Sequence, residues 1–231
     1  MAKPQAVIIG AGEGLSAAVA RELARDHALT LAARSGDRMR AVAKETGART
    51  VLLDATDEDA VARLFDSLPE APRVVVFNPS ARVRGPVAEL AADEVRKAVE
   101  VTAIGAFLCG KHAARRMLEA EPVDGVRGTI LFTGASAGVK GFPLSAPFAM
   151  GKFAQRGLAE SMARELHPQG IHVAWINIDG AILNPGRAEP ADNPRSMLRP
   201  EAIARTYRHL IEQDPSAWTN EVAVRPWVER F

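Results

Sequence analysis

The sequence predicts an α/β fold, a doubly wound parallel sheet of about seven strands with helices on both faces. Two observations support it. Short apolar, often β-branched runs alternate along the chain with longer amphipathic stretches, which is the pattern of strands linked by crossover helices. A length of 231 residues also suits one sheet of this size, with enough chain to bury a large core on each side.

Each element follows from its local pattern. The predicted strands are the apolar runs at 6–9, 28–33, 50–53, 74–77, 129–132, 171–176 and 222–224. The predicted helices are the amphipathic stretches at 15–26, 38–46, 57–68, 93–119, 147–166 and 200–213. Three prolines, Pro185, Pro190 and Pro194, make 184–199 a long irregular loop. We expect one domain over 1–231, with a lid at 184–212 that covers a ligand.

Composition excludes several classes of protein. The 29 basic and 28 acidic residues nearly cancel, so no general electrostatic case exists for a nucleic-acid or anionic-membrane partner. No apolar run reaches the ~18 residues of a membrane span, and the N-terminus has no signal-peptide pattern. The single cysteine, Cys109, lies in an apolar helical stretch and is interpreted as a packed hydrophobe. We expect a cytoplasmic protein without a metal site.

A glycine-rich turn follows the first strand. Gly10, Gly12 and Gly14 precede Leu15, where the first helix begins, and Ser16 takes the place of a third helix-packing glycine. Glycines at this point let the backbone approach a pyrophosphate, which then lies on the N–H groups of the helix N-terminus. The turn therefore predicts a dinucleotide-binding, Rossmann-like domain.

The end of the second strand favours NADP(H) over NAD(H). An NAD site needs a carboxylate here to hold the ribose 2′-hydroxyl, and residues 31–33 supply none. Arg34, with Ser35 and Arg38 nearby, instead offers donors for a 2′-phosphate. Glu13 on the glycine turn is a contrary signal, because its charge would repel that phosphate.

Further segments resemble the short-chain dehydrogenase/reductase family along essentially the whole chain. They are Gly10-x-x-x-Gly14, Leu53-Asp54-Ala-Thr-Asp, Phe77-Asn78-Pro-Ser-Ala81, the turn Thr133-Gly-Ala-Ser-Ala-Gly138, the helix that carries Phe148-x-x-x-Lys152, and Ile178-Asp-Gly180-Ala-Ile182. The resemblance implies an oxidoreductase that binds a nicotinamide nucleotide.

The resemblance also assigns cofactor contacts. It places Asp54 and the adjacent Ala55 at the adenine, although Asp54 could equally cap the next helix. It places Asn78 behind the adenosine ribose and the backbone of Ile182 at the nicotinamide carboxamide. Lys152 would bind the nicotinamide ribose.

The family's acid is missing from this sequence. By the family's spacing to Lys152, Phe148 occupies the position of the catalytic tyrosine. Ala135 and Thr102 occupy the positions of the catalytic serine and asparagine. A phenyl ring cannot donate a proton to a developing alkoxide, so Lys152 is retained without its usual partners.

Several polar residues could substitute for that acid. Ser136, one residue beyond the expected serine, is the leading candidate beside Lys152. The others, each better explained as a turn-forming, capping or packed side chain, are Thr133, Ser145, Ser80, Asp179 and the chain's single tyrosine, Tyr207. His112 and His209 lie on helical patterns and are interpreted as packed or solvated.

The predicted function is hydride transfer between NADP(H) and a small carbonyl, alcohol or activated C=C substrate. Two alternatives remain open: a non-catalytic NADP(H)-binding sensor that stabilises a partner, and a purely structural subunit. The resemblance implies a homodimer or homotetramer built on the helices at 93–119 and 147–166. The aromatic C-terminal residues Trp227 and Phe231 indicate docking against a neighbouring subunit or the lid.

Overall fold

The computed structural model describes residues 3–228 and contains a seven-stranded parallel sheet. The strands in chain order are β1 (Gln5–Ile9), β2 (Ala28–Ala33), β3 (Arg49–Leu52), β4 (Val74–Phe77), β5 (Gly128–Thr133), β6 (Ile171–Ile178), β7 (Ala181–Ile182), β8 (Met197–Leu198) and β9 (Glu221–Val224). Strands β7 and β8 form a separate two-stranded ladder. The predicted fold class and all seven predicted strands are confirmed, with boundaries that differ by at most two residues.

The helices alternate with the strands. They are α1 (Leu15–Leu23), α2 (Asp37–Thr46), α3 (Glu58–Asp66), α4 (Ala92–Val99), α5 (Gly105–Glu119), α6 (Ala146–Leu166) and α7 (Pro200–Ile211). A π-helical segment (Glu100–Ile104) joins α4 to α5, and a 3₁₀ turn (Ser136–Gly138) follows β5.

Each face of the sheet packs on its own helical layer. Side chains alternate along a strand, so Ala6 and Ile8 of β1 join the core under α1, α2 and α7. Val7 and Ile9 join the opposite core, under α3, α5 and α6. Burial on both faces explains why these strands are uninterrupted apolar runs.

The strand order is β3-β2-β1-β4-β5-β6-β9, so the winding direction reverses between β1 and β4. Ile9 at the end of β1 is in register with Ala32 of β2 on one side and with Phe77 of β4 on the other. In open parallel sheets a crevice opens beyond the carboxyl ends of the strands at such a reversal, and ligands bind there.

The helix predicted at 93–119 is interrupted. Its π-helical segment, Glu100–Ile104, widens one turn and carries Thr102 to the loop after β4, where the Thr102 Oγ1 accepts a hydrogen bond from Ala81 N at 3.2 Å. Helix α6 approaches this segment closely, since a Cβ added to Gly151 would lie 2.8 Å from Thr102 Cβ. An amphipathic pattern alone does not distinguish such a turn from regular helix.

The region predicted as an irregular loop has a fixed base. Ala181 pairs with Met197 and Ile182 with Leu198 in the β7–β8 ladder, and α7 follows. The intervening proline-containing chain therefore leaves and returns at adjacent points. That it acts as a lid stays a prediction.

Apolar side chains are exposed on the outer surface of α5 and α6. Phe107, Met150 and Phe153 are each about half exposed, as the predicted subunit interface requires. Trp227 is 79% exposed, whereas Phe231 lies outside the described residues. Within residues 3–228, every helix is too short or too polar to cross a membrane.

Candidate active site

A cleft of about 850 Å³ opens at the carboxyl ends of β1, β4, β5 and β6. That volume lies within the range of small-molecule and cofactor sites. The predicted cofactor residues that line it are Gly10, Gly12, Gly14, Leu15, Asn78, Lys152 and Ile182. The other predicted cofactor residues, Arg34, Ser35, Asp54 and Ala55, lie outside the lining of this cleft as the structure describes it.

Hydrogen bonds hold the glycine turn open. Gly10 has a φ of 77°, and a Cβ there would lie 2.8 Å from Pro79, so glycine is required. Asn78 Nδ2 donates to Gly10 O at 3.2 Å. Ser16 Oγ accepts a hydrogen bond from Gly12 N at 2.8 Å, while the space beside the Gly12 Cα is empty to 4 Å. Ser16 therefore holds the glycine turn through a hydrogen bond, whereas the sequence indicated only that it lies next to the turn.

Asn184 is a cleft residue that the sequence analysis missed. A Cβ added to Gly14 would lie 2.2 Å from Asn184 Oδ1, so this side chain rests against the glycine turn. Its Oδ1 is buried without a hydrogen-bond partner within residues 3–228. The adjacent Pro185 gives this segment the pattern of an irregular loop, and no local signal indicates a contact with the glycine turn.

Two arginines follow β2, one in the loop and one at the start of α2. Arg38 lines the cleft, and Arg34 is exposed. Asp54 accepts hydrogen bonds from Thr56 N and Thr56 Oγ1, which lower the Asp54 pKa, and the charge of Arg34 adds to that effect. Asp54 does not cap α3, because Asp57 does so by accepting from Ala60 N at 2.9 Å.

Lys152 reaches the cleft wall from α6 and is 2% exposed. Its Nζ donates to Thr133 O at 2.5 Å and to Gln155 Oε1 at 3.1 Å. Burial, with a smaller contribution from the charge of Arg82, lowers the Lys152 pKa from 10.5 to about 7. The amine is therefore held against protein acceptors and is about half protonated near pH 7.

Gln155 links this lysine to the neighbouring elements. Its Oε1 also accepts from Trp175 Nε1 at 3.3 Å, and its Nε2 donates to Thr102 O at 3.3 Å. The residue is fully buried. Its spacing of three from Lys152 on one helix was the available sequence signal for this contact.

Phe148 forms a small apolar cluster with Ala135 and Ala137 at the cleft. The Arg82 guanidinium lies over the Phe148 ring, 4.2 Å from its centroid, in a cation–π arrangement. Ser136 lines the cleft at the start of the 3₁₀ turn and is partly exposed. Because Arg82 and Phe148 both line the cleft, the Arg82 guanidinium covers the Phe148 ring on the side that faces the cleft.

The substitute acids divide into two groups. Thr133, Ser80, Ser136 and Ser145 line the cleft. Asp179 instead pairs with Arg225 at 3.4 Å. Tyr207 is fully buried in the core beneath α7, and its hydroxyl lies 2.7 Å from Thr133 Oγ1. Burial raises the Tyr207 pKa.

The other titratable candidates are packing residues. Cys109 is fully buried, and burial raises its thiol pKa. His112 is buried and stacks on Phe65. Residues 3–228 contain no cluster of His, Cys, Asp and Glu suited to holding a metal ion.

Comparison with known proteins identifies the family. A short chain dehydrogenase profile matches residues 4–185. The chain belongs to the short-chain dehydrogenase family. It is 31% identical over 201 residues to the cyclic-di-GMP-binding biofilm dispersal mediator protein of Escherichia coli, covering 83% of this chain and 78% of that protein.

Solved short-chain dehydrogenase structures agree with this fold. A short-chain dehydrogenase from Rhodopseudomonas palustris is 33% identical, with a TM-score of 0.78 over 96% of this chain and 99% of the other. BdcA in complex with NADPH is 28% identical, with a TM-score of 0.80 over 96% and 92% of the two chains.

Proposed function

We propose that this short-chain dehydrogenase is an NADP(H)-dependent oxidoreductase that transfers hydride to or from a small carbonyl, alcohol or activated C=C substrate. The observation that carries the proposal is the cleft itself. It brings the glycine turn, Lys152 and the loop after β5 together at the reversal of the sheet.

The residues present fit a nicotinamide dinucleotide. The empty space at Gly12 leaves room for a pyrophosphate, and the unpartnered Oδ1 of Asn184 lies beside Gly14. This oxygen is a hydrogen-bond acceptor, so it suits a hydroxyl donor of a bound ligand. Asp54 and Ala55 would lie by the adenine, and Ile182 and Lys152 would lie by the nicotinamide end. The bound nicotinamide supplies or accepts the hydride.

The phosphorylated cofactor is favoured at the β2 end. Arg38 lines the cleft, Arg34 is exposed beside it, and β2 ends without a carboxylate. The structural relative BdcA binds NADPH.

We expect Arg34→Asp to weaken NADPH binding and to shift preference toward NADH, as measured by cofactor fluorescence titration. Arg25→Asp, a change of equal charge at an exposed position in the turn after α1, is the control. An unchanged NADPH affinity in Arg34→Asp would refute the role of Arg34.

The chemistry must proceed without a phenol at position 148. Loss of a general acid costs ~10²–10⁴ in rate, which leaves slow carbonyl reduction measurable. Hydride addition to an activated C=C suffers less, because water can protonate carbon if the developing oxyanion is stabilised. Lys152 and Ser136 are the cleft groups that we assign to that stabilisation.

Stopped-flow oxidation of NADPH against a panel of enones and ketones tests the proposal. We expect turnover of at least one substrate class, with enones faster than ketones. We also expect Phe148→Tyr to increase ketone reduction relative to enone reduction. Absence of hydride transfer across the panel, with NADPH bound, would overturn the oxidoreductase assignment.

A specific observation favours one alternative, a non-catalytic NADP(H)-binding protein that senses cofactor or stabilises a partner. Phe148, Ala135 and Thr102 stand where the family resemblance places the tyrosine, serine and asparagine. The Escherichia coli relative is described as a mediator protein. Tight NADPH binding without hydride transfer in the same experiments would support this alternative.

We further propose that the protein assembles with itself, as a dimer or tetramer, through the exposed apolar surface of α5 and α6, and works in the cytoplasm. Phe107 and Phe153 supply about half-exposed aromatic rings there. Light scattering of the wild type and of Phe153→Glu tests this, since a buried charge would dissociate such an interface.

A further inference from the structure

Positive charge is concentrated in the cleft. Its lining within residues 3–228 includes four arginines, Arg38, Arg82, Arg84 and Arg187, together with the partly charged Lys152 and one carboxylate, Glu13. The whole chain has a formal net charge of only +1. The cleft is therefore far more cationic than the protein that surrounds it, and cationic clefts concentrate anions.

Three of these arginines lack a countercharge. Arg82, Arg84 and Arg187 form no ion pair with any carboxylate of the described chain. The one hydrogen bond among them runs from Arg187 Nη1 to Ile182 O at 3.4 Å. Partial desolvation lowers the Arg82 pKa although the residue is exposed, and the charges of Arg187 and Arg84 lower it further. These like charges repel one another across the cleft, and a bound anion would relieve the repulsion.

Arg82 is also held in position. Its guanidinium rests on Phe148, which is only 6% exposed and therefore firmly packed. The stack occupies the face of the guanidinium and leaves its N–H donors without protein acceptors within residues 3–228. A planar fork of donors restrained in this way matches the two oxygens of a carboxylate or phosphate.

The position of Arg82 separates this site from the cofactor phosphates. Arg38 follows β2 at the nucleotide rim, whereas Arg82 follows β4 and lies beside Phe148 and Lys152. Phe148 and Lys152 belong to the part of the cleft that we assign to the nicotinamide and substrate. An anion held by Arg82 would therefore belong to the substrate.

We propose that the substrate of this enzyme carries an anionic group, a carboxylate or a phosphate, that binds Arg82 with support from Arg84 and Arg187. The inference rests on the proposed hydride transfer and extends it by naming the substrate class. Phe148 then contributes to substrate binding, because its ring supports the arginine that binds the anion.

Matched pairs of carbonyl compounds test the inference. The carboxylate pair is 4-oxopentanoate and its methyl ester, and the phosphate pair is dihydroxyacetone phosphate and dihydroxyacetone. KM is measured with NADPH for the wild type, Arg82→Met and Arg25→Met, the last being an exposed arginine in the turn after α1, outside the cleft. We expect the wild type to prefer one anionic member, and we expect Arg82→Met to raise its KM by about 10- to 100-fold. The KM of the neutral members should change far less than that of the anionic member, and the NADPH affinity is measured alongside to detect any effect on the cofactor.

The outcomes are distinguishable. Equal KM values for anionic and neutral members would overturn the inference and leave hydride transfer intact. A loss of NADPH affinity in Arg82→Met, without discrimination between pair members, would assign Arg82 to the cofactor and also overturn it. If no compound is turned over, calorimetric titration of the NADPH-saturated protein with the same pairs decides. If the wild type binds only the anionic member and Arg82→Met does not bind it, the inference is supported although hydride transfer has failed. If the wild type binds no anionic member, the inference is overturned.

Discussion

Replacing Lys152 with methionine should change how stability depends on pH. The folded-state pKa of this lysine is lowered from 10.5 to about 7, because its side chain is buried. Between these two pH values the unfolded chain holds the proton and the folded chain does not. Stability of the wild type therefore rises with pH across this window, and the cost of burying the charge is fully present below pH 7.

The magnitude follows from the width of the window. One pKa unit corresponds to about 1.4 kcal/mol, so the wild type should gain about 2–3 kcal/mol between pH 7 and pH 9 relative to a chain without this amine. Lys152→Met also removes the hydrogen bonds to Thr133 O and Gln155 Oε1. The neutral amine donates these hydrogen bonds as well as the charged one does. Their loss therefore lowers the variant's free energy of unfolding by the same amount at every pH and leaves its pH dependence unaffected.

The assay is urea unfolding of the cofactor-free protein at pH 6, 7, 8 and 9, with the free energy of unfolding compared between wild type and variant. Lys44→Met, at an exposed position on α2, controls for the loss of a lysine at the surface. The other titratable groups are the same in both proteins, so the pH dependence of the difference in free energy of unfolding reports the titration of Lys152. A wild-type-minus-variant difference that stays constant from pH 7 to pH 9 would refute the lowered pKa.

Two further substitutions test packing at the strand ends. Gly134→Ala should lower the free energy of unfolding by about 1–3 kcal/mol, because its Cβ would lie 2.3 Å from the Trp175 ring. Gly141→Ala is the control and should have little effect in the same urea titration, because no atom lies within 4 Å of the added Cβ. Tyr207→Phe should cost about 1 kcal/mol, since it removes the buried hydrogen bond with Thr133, and should leave NADPH affinity and turnover unchanged. Loss of turnover without loss of stability in Tyr207→Phe would instead place this phenol in the chemistry.

Periodicity and glycine placement were sufficient for the fold. The β-branched run of β4 and the glycines after β1 depend on local backbone preference and on burial, which leave direct marks in a sequence. The cleft position of Gly10, Asn78 and Lys152 followed from their order along the chain, because carboxyl ends of parallel strands meet at one edge.

Contacts between distant segments could not be predicted in the same way. Arg82 follows β4 and Phe148 lies on α6, and nothing in either segment indicates that the two side chains stack. The contact of Asn184 with the glycine turn depends on how the β7–β8 ladder returns the chain. Such long-range pairings are set by tertiary packing and leave no periodic signal.

The hydroxyl of Ser16 on the Gly12 amide has a consequence for cofactor affinity. A glycine-rich segment is ordinarily the most mobile part of a nucleotide site, and ordering it opposes binding. Here Ser16 and Asn78 tie the turn from opposite sides before any ligand arrives, so much of that entropy is lost during folding. Association with a dinucleotide then resembles docking onto a preformed surface, for which slow dissociation and little backbone rearrangement are expected.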